Sequence, residues 1–547
     1  MPTLPTPGSP MSLRRRLLTL SSGLVPLVVL AAILFGLDTP EPVYAVTRNV
    51  NILSDPNPDG SCSPSPGDCS LREAITAGNG SSGDVIQLQA GIYALTQTGA
   101  DDINANGDLD IMAAMTIKGA SNGATHISAA AVGERIFHVV PGGGPDFTVV
   151  LTGLTIEDGS EPSSGGGGVY NQDPNARLVI NNSMITGNTA ADGSAIFNHG
   201  ELKLNGSRVV SNLNEEAATI YTEGGPTTIS RSAIRNNPGD GVRGSGVFVV
   251  TSSTFSRNND GLSVAGGESA TFEHSTFSAN RRHGLLVAAA SVVVDGSTFN
   301  ANGSNGITLE PTGDAACTAS IRNTTISGNT GDGVNHEATA GCQFNVTANN
   351  TTIARNGGIG VLTVTPNATT TLSNTIVADN AGGDVFGNVP CVGSNIVKDG
   401  TCQAESGDPK LGPLAANGGP TRTHRLLPGS PALDQGFDCE IDDQRGVPRP
   451  QGAGCDLGAW EGMFCFGRPD TRIGTAGDDV MRGTEGADVF LGLGGGDTFR
   501  LLGGNDRACG GTGADRFDGG DGALDRCDGQ QGPDTHLGGC ETTLSIP

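Results

Sequence analysis

The chain of 547 residues is long enough for three or four ordinary domains or for one long repetitive domain. Its 85 glycines and its charged fraction of only 16% argue against a coiled coil or a helix-rich globular enzyme, because helices favour Ala, Leu, Lys and Glu over Gly. The net charge of −26 argues against a nucleic-acid partner, since phosphate contacts need clustered Lys and Arg. Such acidity is typical of a cation-binding or exported protein.

The first 45 residues have the pattern of an export signal. Arg14 to Arg16 precede an apolar run from Leu17 to Leu37, and Val43-Tyr44-Ala45 supplies the small residues that a signal peptidase recognises. We therefore expect a signal peptide over residues 1–45, cleavage after Ala45, and an extracellular location, either secreted or on the cell surface. The alternative is an uncleaved membrane anchor, because an apolar run of about 20 residues can span a bilayer.

The cysteines fit an exported protein. All twelve follow the expected cleavage point, and an even number of cysteines in such a chain indicates disulfides. A metal site is disfavoured, because no Cys-x-x-Cys occurs and the eight histidines show no ligand spacing. Four pairs lie close in sequence: Cys62–Cys69, Cys317–Cys342, Cys391–Cys402 and Cys439–Cys455.

A repeat of about 22 residues occupies residues 150–390 and carries a regular column of asparagines. A β-branched or Phe residue stands two to four positions before each of them: Asn188, Asn212, Asn236, Asn258, Asn280, Asn302, Asn329, Asn356 and Asn380. Short alternating strands between Asn and Gly turns cannot bury their inward face alone, but stacked coils of three strands can. The repeat predicts an all-β fold, a right-handed parallel β-helix of roughly ten coils similar to that of pectate lyases, with the asparagines as a structural ladder.

Both flanks of the repeat resemble modules of exported β-helix proteins. The N-terminal flank, residues 46–149, where we expect a cap and the first coils, contains Cys69-Ser70-Leu71-Arg72-Glu73-Ala74-Ile75, which resembles the CSLREA domain that opens such proteins. The C-terminal flank, residues 391–465, resembles the choice-of-anchor Q module in the segments from Gly429 to Asp434 and from Cys455 to Glu461. The resemblance implies an extracellular or surface β-helix with a cap at each end, and it supplies no catalytic residues.

The segment from Asp102 to Asp110 has oxygen-bearing side chains at alternate positions before and after Gly107, as at the start of a calcium loop. Position twelve of such a loop would be Ala113, where an EF-hand needs Glu. We therefore favour a turn capped by Asp and Asn side chains over a calcium site in this segment.

The period changes to nine residues in the C-terminal segment, residues 466–547. Seven aspartates recur there at spacings of nine or ten residues: Asp479, Asp488, Asp497, Asp506, Asp515, Asp525 and Asp534. The pattern resembles the RTX calcium-binding repeat, which implies a small parallel β-roll that binds calcium between its turns. In such a turn Asp supplies a carboxylate and Gly exposes a backbone carbonyl. We expect calcium ligands from the seven aspartates and from Gly477, Gly486 and Gly495.

The nine-residue period also predicts which residues face inward and which of the remaining cysteines lie close together. The expected inward residues are Met481, Phe490, Phe499 and Phe517. Cys509 and Cys527 are 18 residues apart, which is one full coil of two nonapeptides, so they could stack and pair and leave Cys540 for Cys465. The partners of these four cysteines are less determined than the other pairs. An inserted residue near Leu524 shifts Asp525 out of the nine-residue period.

Parallel β-helices host polysaccharide lyases and hydrolases, so an enzyme remains a candidate. Asn198-His199-Gly200 and Arg282-His283-Gly284 superficially resemble the His-Gly of polygalacturonases, but the accompanying carboxylates are missing and no catalytic residue is assigned. We expect a monomeric calcium-binding protein that binds extracellular glycan or another cell-surface ligand, and the alternative is a calcium-dependent polysaccharide lyase or hydrolase. A groove lined by acids and an Arg would favour the enzyme, whereas a flank of Ser, Thr and Asn would favour the binding protein.

Overall fold

The computed structural model describes residues 45–546, except for residues 57, 59–61, 63–66, 100, 121–122, 143–145, 311–316, 338–342, 404, 463, 467, 470 and 476. The expected signal peptide therefore lies outside the described residues, apart from Ala45. Within the part of the chain that the structure describes, no helix is long and apolar enough to cross a membrane.

Three parallel sheets form the body of the fold, and each coil adds one strand to every sheet. Sheet 1 has 13 strands in the described ranges: Thr47–Asn49, Asp84–Gln87, Met115–Lys118, Thr148–Thr152, Arg177–Asn181, Glu201–Asn205, Thr227–Ser230, Phe248–Thr251, Ser269–Glu273, Ser291–Asp295, Cys317–Arg322, Phe344–Asn349 and Ala368–Ser373. Sheet 2 has 13 described strands: Gly91–Ala94, Thr125–Ser128, Thr155–Glu157, Met184–Thr186, Arg208–Val210, Ala233–Arg235, Thr254–Ser256, Thr276–Ser278, Thr298–Asn300, Thr325–Ser327, Thr352–Ala354, Ile376–Ala378 and Ile396–Val397. Sheet 3 has 12 described strands: Leu109–Ile111, Phe137–Val139, Val169–Asn171, Ile196–Asn198, Ala218–Thr222, Asp240–Gly244, Leu262–Ala265, Leu285–Ala288, Ile307–Leu309, Val334–His336, Val361–Thr363 and Val385–Gly387. The chain thus forms a parallel β-helix with more coils than the repeat alone indicates, because the coils begin before residue 150.

Alternation along each strand separates an inner from an outer face. In the strand Arg177–Asn181, Leu178 and Ile180 are buried while their neighbours are not. Inward positions of successive coils stack on one another, as in Phe255, Phe277 and Phe299, whose ring centroids are 4.8 and 4.7 Å apart. The apolar columns expected from the repeat therefore form one continuous core.

The asparagine column is a hydrogen-bonded ladder, with one correction. The Asn258 side chain donates to the carbonyl of Ile234 at 3.0 Å, and the Asn258 amide donates to Oδ1 of Asn280 at 3.1 Å. In the coil assigned to Asn236, the ladder position is held by Asn237, which is 1% exposed. Asn236 is exposed and has a φ of 56°, because in these coils the residue before the ladder asparagine adopts the left-handed conformation that turns the chain.

The segment that resembles the CSLREA domain forms the helix Leu71–Asn79. Ser70 and Glu73 make a reciprocal capping box at its start, which satisfies backbone donors of the first turn. Arg72 is fully buried and pairs with Asp55 at 2.7 Å, so its charge is compensated inside the protein. The motif residues are therefore explained by a capped helix that packs on the first coils.

The segment between residues 411 and 461 lies against the outer face of sheet 2 and contains the antiparallel strands Leu411–Ala415 and Thr423–Leu426. Thr325 Oγ1 donates to Gln444 Oε1 at 2.6 Å, and Ser327 Oγ lies 2.7 Å from His424 Nε2. Trp460, which is 1% exposed, packs in an apolar cluster with strands of sheet 2. Three smaller elements lie elsewhere in the chain: the parallel pair Ser160–Gly165 with Thr189–Asp192, the 3-10 helix Thr401–Gln403, and the antiparallel pair Phe464–Cys465 with Arg468–Pro469.

The C-terminal nonapeptides form short parallel strands that alternate between two sheets. The described strands of one sheet are Arg472–Ile473, Val489–Leu491, Arg507–Thr512, Arg526–Gln531 and Thr542–Leu544. Those of the other are Val480–Arg482, Thr498–Arg500, Arg516–Asp518 and Thr535–Gly538. The expected inward residues all lie in one buried cluster: Met481, Phe490, Phe499 and Phe517.

Disulfides join Cys62 to Cys69, Cys391 to Cys402 and Cys439 to Cys455, as expected, while Cys342 lies outside the described residues. The expected pairing of Cys509 with Cys527 is wrong.

The structure pairs Cys465 with Cys509 and Cys527 with Cys540. The inserted residue lengthens this coil, so Cys527 lies opposite Ala508 and not opposite Cys509. Since side chains alternate along a strand, Cys509 and Cys527 belong to different apolar clusters.

Candidate functional site

The seven aspartates of the nonapeptides lie in two rows. Each one immediately precedes a strand, and because successive strands alternate between the two sheets, successive aspartates fall alternately into the two rows. One row contains Asp479, Asp497, Asp515 and Asp534, and the other contains Asp488, Asp506 and Asp525.

A backbone hydrogen bond joins each aspartate to the next one in its row. The amide of Asp497 donates to Oδ1 of Asp515 at 2.8 Å, and the amide of Asp506 donates to Oδ1 of Asp525 at 2.7 Å. The second row continues to Glu541, which accepts from the amide of Asp525 at 2.5 Å. Glu541 occupies the place of an eighth acid that the nine-residue pattern did not reveal, because the final spacing differs.

The other carboxylate oxygen distinguishes the first aspartates from the later ones. Oδ2 of Asp479 accepts from the Thr475 hydroxyl at 2.8 Å, and Oδ2 of Asp488 accepts from the Thr484 hydroxyl at 2.9 Å. In the later units Oδ2 is buried and has no hydrogen-bond partner among the described residues: Asp497, Asp506, Asp515, Asp525 and Asp534. Burial together with the neighbouring carboxylates raises the pKa of Asp497 and of Asp506 to about 6.

The glycines allow the turns to stack closely. Gly495 has a φ of 96°, and a Cβ there would lie 2.4 Å from the backbone carbon of Gly477 in the preceding coil. Gly477 and Gly486 face more open space, where a Cβ would lie 4.0 and 3.7 Å from the nearest atoms. Their carbonyl oxygens each lie 3.3 Å from the hydroxyl oxygen of Thr475 or Thr484, whose proton is donated to the nearby aspartate. A side chain at position 495 would therefore clash with the preceding coil, whereas positions 477 and 486 have room for one.

A second cluster, not identified from the sequence, lies on the outer face of sheet 3. One outward-facing residue from each of six successive strands lies opposite the next: Asp110, His138, Tyr170, Phe197, Tyr221 and Arg243. We call these six residues the aromatic face. The His138 and Tyr170 rings stack with centroids 5.2 Å apart, as do those of Tyr170 and Phe197. The rings cover one another, so their edges and polar atoms are what the face presents to a ligand.

Charged groups surround Tyr170 in the middle of the aromatic face. The Arg135 guanidinium lies 4.9 Å from the centre of the Tyr170 ring and forms ion pairs with Asp108 at 2.9 Å and Glu161 at 3.0 Å. Burial and the neighbouring Asp110 raise the pKa of Asp108 to about 7, although Arg135 opposes this shift. Burial also raises the pKa of the Tyr170 hydroxyl.

His199 links Tyr170 to a carboxylate. Its Nε2 lies 3.4 Å from the Tyr170 hydroxyl and its Nδ1 lies 3.1 Å from a carboxylate oxygen of Glu223. The second histidine noted for a His-Gly dipeptide, His283, is instead paired with Asp260 at 3.0 Å and lies outside the aromatic face. Of the two His-Gly dipeptides, therefore, only the one at His199 contacts the aromatic face.

The aromatic face has a sequence signal that strand alternation explains in retrospect. Val169-Tyr170-Asn171, Ile196-Phe197-Asn198 and Ile220-Tyr221-Thr222 each place an aromatic residue between two buried ones. Such a triplet in a strand directs its middle side chain outward. The repetition of that triplet in successive coils could have predicted the face.

The loop before sheet 3 is a turn capped by side chains, as favoured from the sequence. The Asp101 carboxylate accepts from the amides of Ile103 and Ala105 at 3.0 and 3.1 Å. The loop also brings Asp102 to the end of the aromatic face. There Asp102, Asp110 and His138 each offer one ligand atom, and these atoms lie within 4.8 Å of one another.

Comparison with known proteins supports the fold. Residues 196–349 and 241–404 match the model of the right-handed β-helix region. That match gives the handedness of the central coils. No curated protein is significantly similar to the chain in sequence.

Solved structures that are similar to the chain include a pectate lyase, an α-1,3-glucanase and an alginate lyase. Pectate lyase Pel9A is 18% identical, with 77% of this chain and 97% of that chain covered and a TM-score of 0.40. The catalytic domain of a GH87 α-1,3-glucanase is 14% identical, with 65% and 69% covered and a TM-score of 0.41. A PL6 family alginate lyase, AlyGC, is 11% identical, with 83% and 71% covered and a TM-score of 0.39.

Proposed function

We propose that the protein is an extracellular β-helix protein whose C-terminal coils bind calcium through the two aspartate rows. The observation that carries this proposal is the set of five buried Oδ2 atoms that have no hydrogen-bond partner among the residues that the structure describes. A buried carboxylate oxygen is costly unless it is paired, so these atoms call for a cation. The resemblance of the nonapeptides to RTX repeats points to the same ion.

Calcium suits these rows better than a transition metal does. The rows offer only oxygen atoms, from carboxylates and from the backbone carbonyls of closely stacked turns, and calcium takes six to eight oxygens. No group of three His, Cys, Asp or Glu ligands meets within the described part of the rows, so most ligands would be backbone carbonyls. The expected ligands Gly477, Gly486 and Gly495 supply such carbonyls.

Calorimetric titration of the calcium-free mature protein with calcium tests the proposal. The paired change Asp497→Asn with Asp506→Asn should abolish binding at the sites that use these residues and lower the number of calcium ions bound. Asp518→Asn is the matched control, because Asp518 is an exposed acid in the same coils. Absence of calcium binding by the native protein, or an unchanged stoichiometry in the double variant, would contradict the proposal.

The aromatic face favours a second activity, the binding and cleavage of an extracellular polysaccharide. Acids and an Arg line this face, which is the arrangement expected for the lyase or hydrolase alternative and not for a smooth binding flank. Tyr170, His199 and Glu223 form a chain in which the carboxylate orients the imidazole toward the phenol. Such a chain can accept and pass on a proton, and proton abstraction is the first requirement of a polysaccharide lyase.

Incubation with a panel of neutral and uronic-acid polysaccharides, scored for both retention and shortened products, separates binding from cleavage. Tyr170→Phe should keep the ring stacking and retention but remove product formation. His283→Ala is the matched control, because His283 also pairs with an acid but lies away from the aromatic face. Retention without products in the native protein would leave a binding protein, and neither retention nor products would exclude both activities for the panel.

A further inference from the structure

Three acceptor groups converge where the loop after Asp101 meets the aromatic face. Asp110 and His138 are direct partners on adjacent strands of sheet 3, and Oδ1 of Asp110 lies 3.2 Å from Nδ1 of His138. Oδ1 of Asp102 lies 3.7 Å from the same nitrogen. Asp110 and His138 are buried, whereas the Asp102 side chain is 74% exposed.

The surrounding hydrogen bonds fix which atoms point at one another. The amide of Asn104 donates to Oδ2 of Asp110 at 2.8 Å, which leaves Oδ1 directed at His138. Nε2 of His138 lies 2.9 Å from Oε1 of Gln172, an acceptor, so Nε2 carries the proton and donates. In its neutral form the imidazole then presents its Nδ1 lone pair to two carboxylates, and these three acceptors need a cation between them, either a metal ion or a proton on Nδ1.

We infer that Asp102, Asp110 and His138 form a binding site for a divalent transition-metal ion of the zinc class. Zinc bonds to nitrogen and carboxylate oxygen are about 2.0 to 2.2 Å long, so tetrahedral ligand atoms stand about 3.3 to 3.6 Å apart. The observed separations of 3.2 and 3.7 Å bracket that range. An imidazole nitrogen among the ligands also favours zinc over calcium, which prefers oxygen alone.

The surroundings of the site resemble those of other metal-binding histidines. The ring nitrogen that does not bind the metal usually donates to a fixed acceptor, and Gln172 takes that place beside His138. Three protein ligands leave a fourth position, and the exposure of Asp102 directs it toward solvent. Such an open position beside Tyr170 could take water or an oxygen of a bound ligand. This inference is independent of calcium binding by the C-terminal rows.

The competing occupant is a proton on Nδ1. Burial lowers the pKa of His138, but the hydrogen bond with Asp110 and the charge of Asp108 outweigh burial and raise it overall. A positively charged imidazole would also satisfy both carboxylates. The experiment must therefore detect the metal directly.

Zinc titration of the mature protein, stripped of metal and held in millimolar calcium to saturate the aspartate rows, tests the inference. One zinc ion per chain should bind, and His138→Phe, which keeps a ring beside Tyr170 but has no ligand nitrogen, should weaken that binding at least tenfold. Asp102→Asn should weaken it as well, and since Asp102 is exposed this variant should fold normally. His283→Ala is the control that should bind as the native protein does.

A spectroscopic readout complements the titration. Cobalt(II) in the site should give the visible absorption of a tetrahedral centre, and His138→Phe should remove it. Lack of stoichiometric zinc binding, or equal binding by the native protein and His138→Phe, would overturn the inference and leave the proton as the occupant. Calcium binding should be unchanged in His138→Phe, so failure here is distinguishable from failure of the calcium proposal.

Discussion

The backbone amide of Asp497 donates a 2.8 Å hydrogen bond to Oδ1 of Asp515, which lies 18 residues later in the next coil. One oxygen of each aspartate thus joins consecutive coils, while Oδ2 of both Asp497 and Asp515 is buried and has no hydrogen-bond partner in the described part of the chain. The same residue therefore has a structural oxygen and an oxygen that is open to a cation. If the rows bind calcium as proposed, stacking of the coils and calcium binding are coupled through these side chains.

We predict that residues 474–541 are disordered without calcium and fold when it is added. The buried carboxylates repel one another in a compact metal-free state, and few apolar residues are available to offset the loss of chain entropy. Calcium binding energy then becomes folding energy. Hydrogen exchange measured by mass spectrometry should show protection of this segment only with calcium. Equal protection in chelator would contradict the prediction.

A change at the rows should move the calcium concentration at which folding occurs. Asp488→Asn combined with Asp497→Asn removes one carboxylate from each row, so the folding midpoint should shift to higher calcium. Circular dichroism of the mature protein during a calcium titration measures that midpoint. Asp518→Asn, outside the rows, should leave it unchanged, and a double variant with the native midpoint would count against the role of the rows.

The β-helix itself should be indifferent to chelators. Its coils are held by apolar columns, backbone hydrogen bonds and disulfides, none of which needs a metal. A chain truncated after Glu461 should keep its β-sheet circular dichroism in chelator. Loss of that signal would mean that a metal at Asp102, Asp110 and His138 holds the first coils together.

The ladder asparagines should contribute strongly to stability. Asn258→Ala removes a buried side chain that serves the carbonyl of Ile234 and the amide of Asn237, so the free energy of unfolding should fall by about 2 to 3 kcal/mol. Asn236→Gly is the control, because Asn236 is exposed and glycine accepts its positive φ. Guanidinium unfolding of the chain truncated after Glu461 measures both. A cost at Asn236 equal to that at Asn258 would place the ladder at the wrong residue.

Features that depend on the local period can be predicted from the sequence, whereas features that depend on strand register between coils cannot. The apolar columns and the nonapeptide phase follow from alternation, so Phe277 and Phe499 lie where they are expected. Coil lengths vary, however, and a single inserted residue changes which residues lie opposite one another. For this reason the predicted disulfide partner of Cys509 was wrong, because the pairing depends on strand register across a coil of altered length.

The metal site shows the same limit. Asp110 and His138 are 28 residues apart in sequence and have no recognised ligand spacing, yet strand pairing places them side by side. Their partner Asp102 lies in a loop that is held by hydrogen bonds to the Asp101 carboxylate and between Asn104 and Asp110. Strand register and loop conformation are tertiary properties, so they cannot be predicted from the spacing of ligand residues along the chain.

The pH dependence of the C-terminal coils should reverse when calcium is present. The pKa of Asp497 and of Asp506 is about 6 in the folded coils, above the value of about 3.9 for an unfolded aspartate, so folding without calcium takes up protons. Protection of these coils from protease in calcium-free buffer should therefore increase as the pH falls from about 7 to about 5, and be lost again as the pH rises through the folded pKa. Calcium needs the ionised carboxylates, so its apparent affinity should instead fall over the same pH range. Asp497→Asn combined with Asp506→Asn should weaken both dependences, whereas Asp518→Asn should keep them. Calcium-free coils that become more stable with rising pH would show that these two carboxyls are ionised in the folded state and that the cation site is already satisfied by other groups.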